Sequence, residues 1–302
     1  MTNPVIKKDD SVDEKSRSML ACLSVDELET AARSSYQYFV SSASGERPSD
    51  MVRDRHATSM AQRYLFVNFG DEKKALEMMR HTLQYRKDIG VDDIRRCFDD
   101  LDSKNEEKHE LYNGIRDKLK DQFATGYTFV RGYDRKGRAL YPVIPRHHPD
   151  WDREWYMKMS IYNMERALAC TERKSGGAEQ KILVLYDYNG YSNAHRPPIS
   201  LVKDLLSCLR DHYPQCLYHA YVIDAPAIFR VFYNLIKVFI DPITKSTVQF
   251  VTGDEEKKNI LGDLLDEDEA MPYMLPGGKK ASDVDIQKYL YEVPFDHDCD
   301  AE

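Results

Sequence analysis

Residues 211–251 read DHYPQCLYHAYVIDAPAIFRVFYNLIKVFIDPITKSTVQFV. A helix end is stopped by Pro214, because proline cannot donate to the turn before it. Leu217–Ile223 is an apolar run of strand length, Asp224-Ala225-Pro226 is a turn, and Ile228–Ile240 is again apolar, so the order predicted is strand, turn, helix, turn, strand. Within that helix only Arg230, Asn234 and Lys237 are clearly polar, and their i, i+4, i+7 spacing puts them on one stripe. A helix apolar around most of its circumference must be covered on nearly every side, or must face something that is itself apolar, such as a lipid. Burial is the simpler of the two readings.

Working outward, Ile182–Tyr186 is a second continuous apolar run, as expected of a strand covered on both faces. Leu201–His212 reads as an amphipathic helix leading into the opening stretch. Tyr127–Tyr133 and Ala139–Ile144 around Asp134–Gly137 predict a β-hairpin, and Asp152–Lys174 a helix closed by Gly176-Gly177. Strands alternating with helices require a mixed, largely parallel sheet with flanking helices and right-handed crossovers, hence an α/β fold. Upstream the pattern is helical. Ser24 with Glu27 makes a capping box, helices follow to about Cys97, and the charged residues 98–120 bridge to the strands. The expected domains are a disordered leader (1–20), an all-α N-terminal lobe (21–110), the α/β domain (111–280) and a tail (281–302).

The chain has 302 residues, 42% hydrophobic, and a formal charge of −8. That length supports one large or two smaller cores, and the negative balance argues against nucleic-acid binding. Cys22, Cys97, Cys170, Cys208, Cys216 and Cys299 form no C-x-x-C pair, so reduced thiols in a cytoplasmic protein are expected. No apolar run is long enough to cross a bilayer, so membrane contact would be peripheral. Gly190-Tyr191-Ser192-Asn193-Ala194 approximates a hydrolase elbow, but its fifth position is wrong and Pro197-Pro198 opposes the required helix. Arg146-His147-His148-Pro149-Asp150 lacks a completing ligand for a metal, and Asp254–Glu269 reads as an amphipathic acidic helix rather than a calcium loop. No phosphate-cradling glycine loop occurs. These absences favour a binding module over an enzyme, with no cofactor or metal. A lipid esterase using Ser192 is the catalytic alternative.

Several motifs together resemble the CRAL-TRIO family of lipid-transfer and retinaldehyde- or tocopherol-binding proteins. They are the Tyr213-Pro214 block, the strand and Asp224-Ala225-Pro226, the apolar helix, and Phe239-Ile240-Asp241-Pro242 with Thr244. Others are Arg63-Tyr64-Leu65 before Asp71–Ala75, Gly132–Arg138, Asp187–Ser192, and Met271-Pro272 to Gly277-Gly278. The resemblance implies a soluble protein that holds one phospholipid or other hydrophobic small molecule between a sheet floor and a gating helix and touches membranes transiently. The ligand-lining residues it implies are Tyr141, Tyr162, Val184, Tyr186, Tyr188, Tyr221, Ile223, Phe229, Phe232, Ile236, Phe239 and Ile240. The headgroup region would comprise Gln215, Lys245 and Thr247. Phosphatidylinositol-binding members carry a charged residue where this chain has Gln215 and Thr247, and hydroxyls or arginines where it has Ile182, Val184, Phe66 and Asn68. Each change removes charge or hydrogen-bonding capacity. In an extended segment Lys245 and Thr247 would point the same way, letting Lys245 stand in for the missing cation. A sterol, isoprenoid or haem is the alternative cargo, haem through a tyrosine near Tyr186 and Tyr188.

Overall fold

The computed structural model describes residues 10–43, 48–98 and 106–292. The chain divides into two compact units, 1–89 with 211–215, and 90–210 with 216–302.

The first unit is helical: α1 (Asp10–Ala21), α2 (Val25–Ala32), α3 (Tyr36–Ala43), α4 (Asp50–Val67) and α5 (Glu72–Ile89). The capping box forms as read, with Glu27 N–H donating to Ser24 Oγ and Ser24 N–H to Glu27 Oε2. The disordered leader is corrected from residue 10 onward. α1 is a helix, and its Ser16, Met19 and Leu20 are buried with Ala31, Met60, Tyr64 and Met79. Charge of both signs had masked this short apolar face. Residues 211–215 pack into the same unit. The Tyr64 hydroxyl donates to Thr82 Oγ1 at 2.6 Å, Thr82 Oγ1 donates to the Asp211 carbonyl at 3.1 Å, and the His212 ring stacks on Tyr85 at 3.7 Å. Burial, and then the charge of His81, push the His212 pKa down to about 4.

The second unit begins with α6 (Val91–Arg96) and α7 (Glu106–Phe123), both packed on α8 (Arg153–Lys174). The unit boundary therefore falls at Ile89/Gly90 rather than near residue 110. Four strands follow: β1 (Leu140–Val143), β2 (Ile182–Asp187), β3 (Leu217–Ile223) and β4 (Val248–Val251), in the order β1-β2-β3-β4 and parallel throughout. They alternate with α8, α9 (Ile199–His212), α10 (Ala227–Ile236) and α11 (Pro242–Ser246), and α12 (Gly253–Leu261) follows β4. The expected hairpin closes at Asp134, whose Oδ1 accepts the N–H groups of Lys136 and Arg138. Only its second arm becomes a strand. The first arm makes only isolated bridges, Thr128 with Val143 and Tyr133 with Ala139, and within it Gly132 takes φ +83° where a Cβ would lie 2.6 Å from the Glu269 carbonyl. The expected acidic helix 254–269 is shorter, ending at Leu261. The expected tail is structured at its start: the Tyr289 hydroxyl donates to Asn163 Oδ1 and accepts Val130 N–H, and Leu290 is buried. The remaining tail residues, like 1–9, lie outside the described residues.

Register decides which side chains share a face, because directly paired residues of a parallel sheet point the same way. Tyr141, Val143, Val184, Tyr186, Ala220, Val222, Val248 and Phe250 form one face. Leu140, Leu183, Leu185, Tyr221, Ile223 and Val251 form the other, and all six are buried. Among the described residues no helix is long and apolar enough to cross a membrane.

Candidate functional site

α10 is positioned from both ends. Before it, Asp224 adopts φ +50°, in the left-handed region that a side chain rarely takes. Its Oδ1 accepts Gly253 N–H at 2.9 Å and its Oδ2 pairs with the Lys257 ammonium at 2.5 Å. Burial alone would raise this carboxyl, but the Gly253 N–H and the Lys257 charge outweigh it and hold the pKa below the usual value. Pro226 then starts the helix, its fixed φ suiting the boundary. After α10 the chain tightens into a single 3-10 turn, Lys237–Phe239, and Ile240 is extended. Asp241 next accepts the N–H groups of Ile243 and Thr244, capping α11.

The inner side of α10 lies on the sheet face of Tyr186, Val222, Val248 and Phe250. Phe229 is the centre of this contact. Its ring centroid lies 3.9 Å from Tyr188, 6.0 Å from Tyr191, 6.1 Å from Phe232 and 6.3 Å from Phe250. Phe232 and Ile236 extend the contact along the helix, with Val202 of α9 packed beside them. Toward β1 the same face becomes rich in tyrosine. Tyr186 stacks near Tyr188 at 6.0 Å, and the hydroxyls of Tyr127 and Tyr156 lie 3.3 Å apart. Burial pushes the phenols of Tyr127, Tyr141, Tyr156, Tyr186 and Tyr188 above their ordinary value, so they stay protonated and neutral. The Tyr191 hydroxyl is buried with no hydrogen-bond partner among the described residues. The cluster under α10 is thus aromatic and aliphatic with neutral hydroxyls at its edge, surroundings that penalise a bare charge.

Of the residues implied from sequence, Tyr186, Tyr188, Phe229, Phe232 and Ile236 meet in this cluster. Tyr141 and Val184 share its sheet face nearer the β1 edge. Tyr221 and Ile223 are a correction: they lie on the opposite face, in register with Leu185 and Asp187. Tyr162 is a second one. It packs between Phe98 and Phe123, and its hydroxyl accepts from Arg166. Phe239 and Ile240 sit beyond the cluster, lining a cleft of about 310 Å³ with Val238, Lys203, Ser207 and Arg210. In the headgroup region Gln215 belongs to the first unit at φ +60°. Lys245 is exposed on α11, and Thr247 closes that helix with its hydroxyl bonded to the Thr244 carbonyl. The shared direction expected for Lys245 and Thr247 is overturned. The segment before Thr247 is helical, and residues two apart on a helix point to different sides.

The residues that sequence reasoning missed are Tyr191, Val202, Val222, Ala225, Tyr233, Val248 and Phe250. Alternation along β4 was available as a signal for Val248 and Phe250. Tyr191 follows the strand in an irregular turn and has no periodicity to betray it. Ser192 is exposed, and its Oγ lies 3.5 Å from His195 Nδ1, which already accepts the Ser192 N–H. No carboxylate orients that imidazole among the described residues, so the third member of a catalytic triad is missing.

Residues 123–269 match the family model described as the CRAL/TRIO domain. Two relatives are phosphatidylinositol transfer protein CSR1 of Eremothecium gossypii, 26% identical, with 66% of this chain and 43% of that protein aligned, and phosphatidylinositol transfer protein PDR17 of Saccharomyces cerevisiae, 28% identical, with 62% and 50% aligned. The chain spans half or less of these curated relatives. The crystal structure of Sfh5 superposes with a TM-score of 0.59 at 15% identity, covering 91% of this chain and 90% of Sfh5. That likeness is one of fold.

Proposed function

We infer, for a chain that carries a CRAL/TRIO domain over residues 123–269, that it holds one hydrophobic molecule of lipid size between α10 and the sheet and exchanges it with membranes. The observation that carries this reading is the arrangement of α10. The helix covers a sheet face with Phe229, Phe232 and Ile236 while leaving further apolar side chains on its outside. A helix with apolar side chains left on its outside gains little there from water, because exposed apolar area costs about 25 cal/mol per Å². Such a helix is suited to part from the sheet where a bilayer replaces the lost contacts.

The lining favours cargo without a charge buried under α10. Gln215 and Thr247 are neutral, and Lys245 stands exposed on α11, so phosphatidylinositol is not the preferred cargo in this reading. Binding rather than catalysis fits the incomplete Ser192–His195 pair. The protein would act at the periphery of a membrane and carry one phospholipid or another hydrophobic small molecule, with no metal or cofactor.

Native mass spectrometry with lipid extraction of the purified protein tests the reading. One bound lipid-sized molecule per chain is expected. An empty protein that also takes nothing from labelled liposomes of several lipid classes overturns it. Efficient phosphatidylinositol transfer abolished by Lys245→Ala would overturn the headgroup assignment alone, and labelling of Ser192 by an activity-based serine probe would restore the esterase reading.

A further inference from the structure

Beyond the matched domain the chain makes one turn of π-helix, Lys288–Glu292, a rare geometry. Asp285 starts that turn by accepting Lys288 N–H at its carboxylate and Tyr289 N–H at its carbonyl. Tyr289 then enters the interior of the second unit. The Arg166 guanidinium lies 3.8 Å from its ring centre and Phe123 lies 6.0 Å from it, while its carbonyl accepts from Arg166. A phenylalanine would make the same ring contacts, so the hydroxyl has a separate role. It accepts Val130 N–H and donates to Asn163 Oδ1, both at 3.0 Å. The Asn163 amide is oriented by that bond. Its Nδ2 donates to Thr128 Oγ1 at 3.4 Å, and Thr128 Oγ1 donates in turn to the Pro142 carbonyl of β1 at 2.8 Å. Tyr289, Val130, Asn163 and Thr128 are all buried.

Thr128 carries this chain of bonds to the tyrosines at the β1 edge of the sheet. It bridges Val143 and stands beside the Tyr141 phenol, which burial pushes up and the Thr128 hydroxyl pulls partway back. Its neighbour Tyr127 places its hydroxyl 3.3 Å from that of Tyr156. Only one of those two O–H groups can point at the other oxygen, so the pair keeps a donor for a third partner. We propose that Tyr289 is a positioning residue for cargo: through Asn163 and Thr128 it holds the hydroxyls of Tyr127, Tyr141 and Tyr156 in one arrangement, and the chain thereby prefers a molecule with an uncharged hydrogen-bonding end to a plain hydrocarbon. A buried network in which every member is bonded has one low-energy arrangement, and losing a member frees the others to turn. Buried hydroxyls held in place reject an analogue that cannot bond them, because they are then left unpaired. A charged end is disfavoured too, since neutral phenols leave it without a counter-ion. This inference rests on the cargo position proposed above and adds a residue outside 123–269 that governs what the domain accepts.

Binding of two pyrene-labelled probes of equal chain length, a long-chain alcohol and an alkane, tests it. The wild-type chain should bind the alcohol about tenfold or more tightly than the alkane. Tyr289→Phe keeps the ring and should cut that preference roughly threefold to tenfold, the contribution of one hydrogen bond, with alkane affinity unchanged. Thr128→Val cuts the same chain of bonds at its other end and should do the same, which decides the matter if the first variant fails to fold. Leu290→Ala, fully buried in the same turn, is the packing control: it should lower stability and shift both probes by the same factor. Tyr289→Phe and Thr128→Val shifting both probes equally, or shifting neither, would overturn the proposal and leave Tyr289 a structural plug. A chain that carries lipid by mass spectrometry yet binds both probes without preference defeats only this inference. A chain that carries no lipid and binds neither probe defeats the reading beneath it, and this inference with it.

Discussion

At its start α10 follows a residue locked by a Lys257 ion pair, a Gly253 hydrogen bond and the Val251 carbonyl, which accepts Asp224 N–H at 2.9 Å. At its end the chain tightens into a 3-10 turn, and Phe239 and the following Ile240 are only half-buried beside an open cleft. The left-handed φ of Asp224 costs free energy that the ion pair and ladder contacts offset. Among the described residues no ion pair restrains the far end, which is held by the Lys203–Phe239 contact and the Asp241 cap. A helix held in this way should swing about Pro226, and the far end should be where the cover lifts.

The change expected to matter most removes what both ends share. Phe229→Ala takes away the ring that touches Tyr188, Tyr191, Phe232 and Phe250, and should cost about 3–5 kcal/mol by denaturant unfolding. Hydrogen exchange should then deprotect residues 227–240 before β3. Loss of protection in β3 at the same rate would mean that α10 and the sheet open as one body.

Lys257→Met attacks the locked end and should cost about 3 kcal/mol, the low end for a buried pair because Asp224 keeps some contact with solvent. Asp224→Gly separates the contributions, since glycine relieves the strained φ while losing the charge. If neither variant raises exchange at residues 224–230, the two ends are equally held and the asymmetry has no dynamic meaning.

Acid offers a change that should leave both ends alone. The His212 pKa is depressed from 6.5 to about 4 in the folded chain, so the unfolded chain binds the extra proton between those values. Stability present above about 6.5 is therefore lost as pH falls toward about 4, and His212→Phe should flatten that dependence in the first unit. Over the same range α10 should keep its exchange pattern, because its tyrosines stay neutral and the lowered Asp224 pKa lies below the window. Parallel loss of α10 protection would tie the helix to the His212 contact.

The smallest effects belong to the soft end. Ile240→Ala should cost about 1 kcal/mol or less yet speed lipid exchange. Lys245→Ala, on exposed α11, should alter stability by less than about 0.5 kcal/mol. Ile240→Ala exchanging lipid at the wild-type rate would move the opening away from this end.

Much of this was legible in the order of residues. Leu217–Ile223 appears as the strand read from it, Ser24 and Glu27 cap a helix as read, and the apolar helix after Pro226 is present, though it ends at Ile236 rather than Ile240. Such features depend on local periodicity and turn chemistry, which neighbouring residues carry by themselves. α1 was not legible, because a short apolar face among charges resembles a polar leader until a partner helix covers it. Nor was α11, where five residues can be helical or extended with little local preference.

By itself the sequence determined the alternation of strands and helices, the parallel sheet that this alternation demands, and an apolar helix that something must cover. Which residues of the sheet meet that helix was decided only by tertiary structure. Tyr186 and Tyr221 are both tyrosines in apolar strands, yet one lies under α10 and the other on the opposite face. The physical reason is the two-residue period of a strand. Shifting the register by one residue exchanges the faces, and only the pairing of neighbouring strands sets that register. The contact between Lys203 and the Phe239 ring was likewise decided by tertiary structure, because α9 packs beside the end of α10.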